Sequence, residues 1–157
     1  MATTQAFDST RQETKAYERT GVQNLQIAYA LFRMTLGMNF FFHGSMRLIT
    51  GLGAWVATQV PMFTEQPVLP MALVQGFLYV LPFIEATIGT LLLLGLYTRG
   101  ALIAGALVVI TLIFGTGIRQ EWGSVGAQTL YGIYFYLLIS RLGDNWLALD
   151  CFRAKGS

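Results

Sequence analysis

The chain has 157 residues, of which 54% are hydrophobic and only 11% are charged. Soluble domains carry about 25% charged residues, so this composition argues against a soluble fold and predicts an integral membrane protein. A net charge of +2 without a basic patch argues against nucleic-acid binding. The single histidine, His43, and the single cysteine, Cys151, are too few for a disulfide, an iron–sulfur site or a dedicated metal site in one chain.

The first half of the chain predicts a polar tail, a membrane span and a long loop. Residues 1–24 are polar, lack the pattern of a signal peptide and predict a cytoplasmic tail with a short surface helix at about 9–19. The first span is predicted at about 25–48. Residues 49–70 contain several glycines and prolines among apolar residues, and predict a loop at the membrane interface or over the helices.

The second half predicts three further spans, at about 72–96, 101–118 and 124–142, and a C-terminal tail at 149–157. Lysine and arginine residues are concentrated on the side that holds both termini, which the positive-inside rule assigns to the cytoplasm. The expected fold is therefore an all-α integral membrane four-helix bundle over residues 25–148, in contact with the lipid bilayer.

The first two predicted spans contain ionisable residues, which cost about 2.5 to 3.5 kcal/mol each in a bilayer and usually mark a paired or functional site. On the first span, Arg33, His43 and Arg47 share one broad helical face. On the second, Gln75 precedes Glu85 by ten residues. We expect the polar site between these two helices.

A midplane taken near Gly37 and Ile84 brings Arg33 within reach of Glu85. Two interpretations of this predicted ion pair stay open. The pair fixes the register of the two helices, or Glu85 transfers protons or contacts a ligand beside the arginine.

The same register places His43 and Arg47 level with Gln75, toward the outer side. His43 is either a hydrogen-bonded packing residue or, with Arg47, part of a site for an anion or a carbonyl group. The candidate catalytic residues are Glu85, His43 and Arg33, and the candidate binding residues are Arg33, His43, Arg47, Gln75 and Glu85. Two residues of the fourth span, Gln128 and Tyr131, are candidates to add polar atoms to the outer end of a cavity.

Residues from about 30 to 99 carry an ordered set of motifs that resembles the DoxX family. The first span contains Leu31-Phe32-Arg33, Leu36-Gly37, Phe40, His43-Gly44 and Arg47-Leu48, similar to the family pattern LR, LG, F, HG and KL. The second contains Pro82, Glu85, Gly89, the run 91–96 and Thr98-Arg99, similar to P, E, G, LLLGL and TR. Arg47 stands where the family often has lysine, which keeps the charge but adds a planar fork.

The resemblance implies a four-helix protein of the bacterial plasma membrane, and family members include a subunit of thiosulfate:quinone oxidoreductase. It thus implies quinone as electron acceptor and a small sulfur anion as substrate. Glu85 or His43 would relay the protons of quinone reduction, and Arg47, His43 and Arg119 would supply positive charge to a dianion. Electrons would pass directly to quinone, or through a bound cofactor or a partner subunit.

Other family members lack this activity, so two further classes stay open. The protein could be a non-enzymatic scaffold or assembly partner that anchors another protein in the membrane. It could also be a small transporter, for which four spans would have to form a homo-oligomer. Fold alone does not choose between these classes.

Overall fold

The computed structural model describes residues 2–64 and 68–154, and every regular element in these ranges is helical. Residues 1, 65–67 and 155–157, and with them Pro67 of the predicted loop and Lys155 of the predicted tail, lie outside the described residues. The helices are α1 (Ala2–Gln59), α2 (Pro61–Thr64), α3 (Met71–Leu94), α4 (Thr98–Ile118), α5 (Trp122–Ser140), a 3-10 turn (Leu142–Asp144) and α6 (Leu149–Ala154).

The predicted all-α fold is confirmed. Within the described ranges, α3 and α4 are long and apolar enough to cross a membrane, judged by length and composition. The helix predicted at about 9–19 is part of α1, which begins at Ala2.

The predicted loop over residues 49–70 is wrong for its first half, because α1 bends at Gly51 and continues to Gln59. Gly51 has a φ of 113° and a ψ of 94°, a conformation that a residue without a Cβ adopts readily. The glycine therefore redirects the helix instead of ending it. After the bend, Val56 is buried against Val74 and Leu78 of α3.

The seam between α1 and α3 is built from glycines that let the two backbones touch. A Cβ atom at Gly44 would overlap the Pro82 carbonyl oxygen and the Ala86 backbone, and one at Gly89 would overlap the Phe41 backbone. Such close contact is typical of helices that pair in membranes through small residues.

This seam sets a register that differs from the one predicted from membrane depth. Gly37 lies against Gly89, Leu92 and Leu93 and not level with Ile84, a shift of about two helical turns or about 10 Å along α3. Contact between small residues, not equal depth in a bilayer, decides how the helices slide past each other. Every predicted pairing between α1 and α3 moves accordingly.

The core is shared by α1, α3, α4 and α5. The ring of Phe135 packs against Gly105 and meets Phe40 edge to face, with 6.0 Å between the ring centroids. The Tyr29 hydroxyl donates to the Leu138 carbonyl at 3.1 Å. The most deeply buried apolar side chains are Leu36, Leu81, Leu92, Leu102 and Leu138.

One end of the molecule, here called the closed end, consists of the α3–α4 turn (residues 95–97) and the C-terminal segment 141–150. The Asp150 carboxylate accepts hydrogen bonds from the backbone N–H groups of Tyr97 (2.7 Å) and Thr98 (2.8 Å). It thereby caps the N-terminus of α4, where N–H groups have no partner within the helix. The Asn145 amide donates to the Thr98 hydroxyl at 3.1 Å, which further joins the segment to α4.

Candidate functional site

A cavity of about 900 Å³ lies between α1, α3, α4 and α5 at the end opposite the closed end. Its wall is largely apolar. The polar groups on it are concentrated in two places, here called the inner cluster (Asn39, His43, Arg47 and Glu85) and the outer cluster (Gln59, Thr116, Arg119, Glu121 and Gln128).

The inner cluster is organised by an ion pair between Arg47 of α1 and Glu85 of α3. Only 5% of the Glu85 side chain is exposed, against 23% of the Arg47 side chain. The contact of Gly44 with Pro82 and Ala86 brings the two residues together, because Arg47 lies one turn beyond Gly44 and Glu85 lies between the two α3 contacts. The predicted pair of Arg33 with Glu85 is therefore wrong, and Arg47 takes the place of Arg33.

Arg33 lies at the closed end, 2% exposed, and does not line the cavity. Its guanidinium donates to the carbonyls of Leu92 (2.5 Å) and Leu147 (2.8 Å), while its Nε has no hydrogen-bond partner among the described residues. Leu92 is in the last turn of α3, where its carbonyl also accepts from the Gly95 N–H at 3.3 Å and where the helix dipole favours a cation. Arg33 is thus a cap for α3, and Gly95 leaves room for it because a Cβ there would overlap the guanidinium.

His43 is on the cavity wall one turn before Arg47, with 3.5 Å between its Nδ1 and the Arg47 Nη2. An arginine only donates, so a hydrogen bond at this contact requires Nδ1 as the acceptor and the ring proton on Nε2. In that tautomer the Nε2–H is a donor for another group. Gln75, predicted beside His43, is exposed on α3 and is not part of the cavity wall, as the shifted register requires.

The bend at Gly51 brings the aromatic ring of Trp55 beside the inner cluster, in a segment that the sequence predicted as a loop at the membrane interface or over the helices. The Arg47 Cζ lies 4.4 Å from the centroid of the Trp55 ring, a cation–π contact. The guanidinium is thus held by a carboxylate and an aromatic face together. This arrangement fixes an otherwise flexible side chain on the wall.

The outer cluster lies on the cavity wall near the turn between α4 and α5. Arg119 pairs with Glu121, and its guanidinium lies 5.2 Å from the Phe63 ring centroid and 3.5 Å from the Gln59 side-chain oxygen. Sequence reasoning missed Glu121, because residues two apart do not face each other on a helix. Here Gln120 has a φ of 56°, and this turn between α4 and α5 brings the two charges together.

Two residues of α5 proposed from sequence, Gln128 and Tyr131, line the cavity. The Gln128 side-chain oxygen accepts a hydrogen bond from the Thr116 hydroxyl at 2.8 Å, which joins α4 to α5 beside the cavity. Thr116 carried no signal in the sequence, since a threonine in an apolar helix usually bonds only to its own backbone.

The wall suits a ligand that is neutral, flat or chain-like, and able to accept hydrogen bonds. Each of its two arginines is paired with a carboxylate, so the wall offers donors without a large excess of positive charge. Within the described ranges, no group of three or more His, Cys, Asp or Glu side chains is arranged to hold a metal ion. No protein-family model, curated protein or solved structure matches the chain.

Proposed function

We propose that the protein is the membrane subunit of a DoxX-type, quinone-linked oxidoreductase and that its cavity binds the quinone head group. The observation that carries the proposal is the cavity of about 900 Å³, apolar for most of its wall, with Arg47, His43 and Glu85 clustered on one side. Cavities of about 300 to 1,000 Å³ with a few convergent polar groups are typical small-molecule sites.

The membrane part of the proposal is supported by where apolar side chains are exposed. Large apolar residues project outward from all four long helices, for example Leu31 (61% exposed), Phe83 (54%), Ile110 (61%) and Tyr136 (71%). Exposing such an apolar surface to water costs free energy, whereas exposing it to lipid does not. We propose four spans in the bacterial plasma membrane. The first is the part of α1 at about 25–48, before the bend at Gly51, and the others are α3, α4 and α5. Both termini and the closed end would then be cytoplasmic.

The head group of a quinone matches the inner cluster in chemistry. A quinone has an apolar ring and two carbonyl oxygens that accept hydrogen bonds. Arg47 and the Nε2–H of His43 are donors on the wall, and Phe40 and Trp55 supply apolar and aromatic surface beside them. Because both arginines are already paired with carboxylates, a neutral ligand suits the cavity better than a dianion does.

Reduction of the quinone to a quinol takes up two electrons and two protons. We assign the proton transfers to Glu85 and His43, the titratable side chains of the inner cluster besides the arginine. The electrons would come from a small sulfur anion such as thiosulfate, two of which yield tetrathionate and two electrons. We place that oxidation on a partner subunit and not in the cavity.

Trp55 offers a direct test, because it is the tryptophan on the cavity wall. Trp122 and Trp146 are 69% and 59% exposed and lie outside the wall, so replacing both with phenylalanine leaves a protein whose fluorescence reports on Trp55. Titrating this protein in lipid nanodiscs with a quinone should give saturable quenching. His43→Ala and Arg47→Met, which each remove a donor on the wall, should weaken the fitted affinity about tenfold or more, which is the size expected for losing a hydrogen bond to a charged or buried partner.

A matched control is Arg141→Met, since 63% of the Arg141 side chain is exposed and the residue is not on the cavity wall. It should leave the affinity unchanged. Absence of saturable quenching, together with no quinone in a solvent extract of the purified protein, would overturn the proposal. A stable protein partner found in the same preparation would then support the scaffold class.

A further inference from the structure

The cavity wall reaches the outer surface of the molecule between α3 and α4. On α3 it includes a buried row (Val74, Leu78 and Leu81) and, beside it, an exposed row (Leu73, Gly76 and Val80). Each row follows the spacing of three or four residues that marks one stripe of a helix. Because the cavity wall on α3 includes both a buried and an exposed row of side chains, the cavity opens to the surface of the molecule along this helix.

α4 shows the same change from a sheltered to an exposed stripe. Leu112 and Thr116 are half-buried on the wall, whereas Thr111 and Phe114 are exposed on it. Phe114 is 58% exposed although it lines the cavity. The opening therefore lies between the exposed stripes of the two helices, and we call it the side slot (Leu73, Gly76, Val80, Thr111 and Phe114).

The side slot is apolar and runs from the start of α3 at Leu73 toward the middle of the helix at Val80. Val80 is the tenth of the 24 residues of α3, at a depth that a membrane would fill with hydrocarbon. Apart from the Thr111 hydroxyl, which donates to the carbonyl of Leu107 in its own helix, the slot offers no polar side chain. The cavity wall near the turn between α4 and α5, by contrast, carries the ion pair of Arg119 and Glu121.

The surface between α3 and α4 is also recessed nearer the closed end. A second groove of about 430 Å³ lies there, lined by apolar side chains such as Phe83 and Leu91 and by the small residues Gly100, Ala101 and Ala104. A chain that leaves the cavity through the side slot would find further apolar surface between the same two helices.

We propose that the ligand enters from the bilayer through the side slot and is a lipid-soluble molecule whose hydrocarbon chain stays in the slot when its head group is bound. This deepens the proposed function and rests on it, because it takes the cavity to be the ligand site. An apolar side chain in the slot would compete with the chain of the ligand but not with its head group.

Gly76 allows this to be tested with little disturbance. A Cβ added at Gly76 meets no atom within 4 Å, so Gly76→Phe adds a ring to the slot without forcing the backbone apart. Gly132 is the matched control, since it is exposed on α5, lies off the cavity wall and also has no atom within 4 Å of an added Cβ. Both changes remove a helical glycine, which makes their effects on helix stability comparable.

Binding is measured for two quinones with the same head group, one with a long isoprenoid chain and one without a chain. Each quinone is titrated against the full protein in nanodiscs, and the two affinities are compared. Gly76→Phe should weaken binding of the long-chain quinone about tenfold and change binding of the chain-free quinone less than about threefold. Gly132→Phe should affect neither. Val80→Trp should repeat the effect, with Ile110→Trp, exposed but off the wall, as its control.

Unchanged binding of the long-chain quinone to both slot variants would overturn the inference and leave the proposed function standing. Equal weakening of both quinones would also overturn it, since the added ring would then act on the head-group site. If the unaltered protein binds neither quinone, the proposed function itself fails and the inference falls with it.

Discussion

Arg47 and Glu85 form an ion pair across the seam where Gly44 lies against the backbone of α3. The pair joins two helices whose backbones touch at Gly44 and Gly89, and it lies on the wall of the large cavity. A carboxylate this deeply buried is stable as an anion only beside a cation. The register of the seam thus decides which arginine forms the ion pair with Glu85.

The first prediction is that Arg47 and Glu85 are energetically coupled. In a double-mutant cycle with Arg47→Met and Glu85→Gln, the double variant should be more stable than the sum of the single losses implies. Because 23% of the Arg47 side chain is exposed, we expect a coupling free energy of about 1 to 2 kcal/mol, below the range for fully buried pairs. Denaturant unfolding of the protein in mixed micelles measures it.

The control cycle pairs Arg33→Met with Glu85→Gln. Arg33 contacts the Leu92 and Leu147 carbonyls at the closed end and not Glu85, so these two losses should add within about 0.5 kcal/mol. If Arg33 and Glu85 were coupled while the losses at Arg47 and Glu85 added, then Arg33 and not Arg47 would be the partner of Glu85.

The second prediction concerns Gly44. Gly44→Ala should lower the free energy of unfolding by about 1 to 3 kcal/mol, because the added Cβ overlaps the Pro82 carbonyl and the Ala86 backbone and forces the helices apart. Gly76→Ala, in open space on α3, should be neutral or stabilising by up to about 1 kcal/mol through helix propensity. Equal effects of the two changes on thermal unfolding would contradict the glycine seam.

The third prediction concerns the bend in α1. Gly51→Ala places a Cβ on a residue with a φ of 113°, which should cost about 1 to 3 kcal/mol or straighten the helix. Straightening would carry Trp55 away from Arg47 and raise the access of acrylamide to the Trp55 fluorophore. Gly53→Ala, which has open space and a helical backbone, should leave quenching unchanged and be neutral or stabilising by up to about 1 kcal/mol. Unaltered quenching and stability in Gly51→Ala would show that the bend needs no glycine.

The fourth prediction concerns Asp150 as a cap. Asp150→Ala removes the acceptor for the Tyr97 and Thr98 N–H groups and should cost about 0.5 to 2 kcal/mol, with faster hydrogen exchange at those two amides. Asp144→Ala is the control, since its carboxylate is 3.8 Å from an Arg141 side chain that is 63% exposed, and such surface pairs contribute about 0 to 1 kcal/mol. Exchange rates at residues 97 and 98 that do not respond to Asp150→Ala would rule out the cap.

The helical class and three of the four residues of the inner cluster were predictable, and their pairing was not. Low charge content and uninterrupted apolar stretches predict helices, and rare ionisable residues among them point to His43, Arg47 and Glu85. The partner of Glu85 depends on how far α1 slides along α3, which Gly37, Gly44 and Gly89 decide through contacts that no local pattern encodes.

The bend and the outer cluster escaped prediction for related reasons. Glycine next to prolines and apolar residues is typical of loops, yet the segment after Gly51 gains burial against α3 as a helix, and that gain depends on a distant partner. The pairing of Arg119 with Glu121 depends on the backbone of Gln120, whose positive φ is unusual for a residue other than glycine. Tertiary contacts decided both features.

The most direct test of a quinone site in this cavity is photo-crosslinking. A quinone with a photoreactive group on its ring would be bound to the protein in nanodiscs, illuminated, and its attachment mapped by peptide mass spectrometry. The account predicts attachment to cavity residues such as Phe40, Trp55 and Tyr131, abolished by excess unlabelled quinone. Attachment confined to outward residues such as Leu107 and Tyr136, or unaffected by competition, would contradict it.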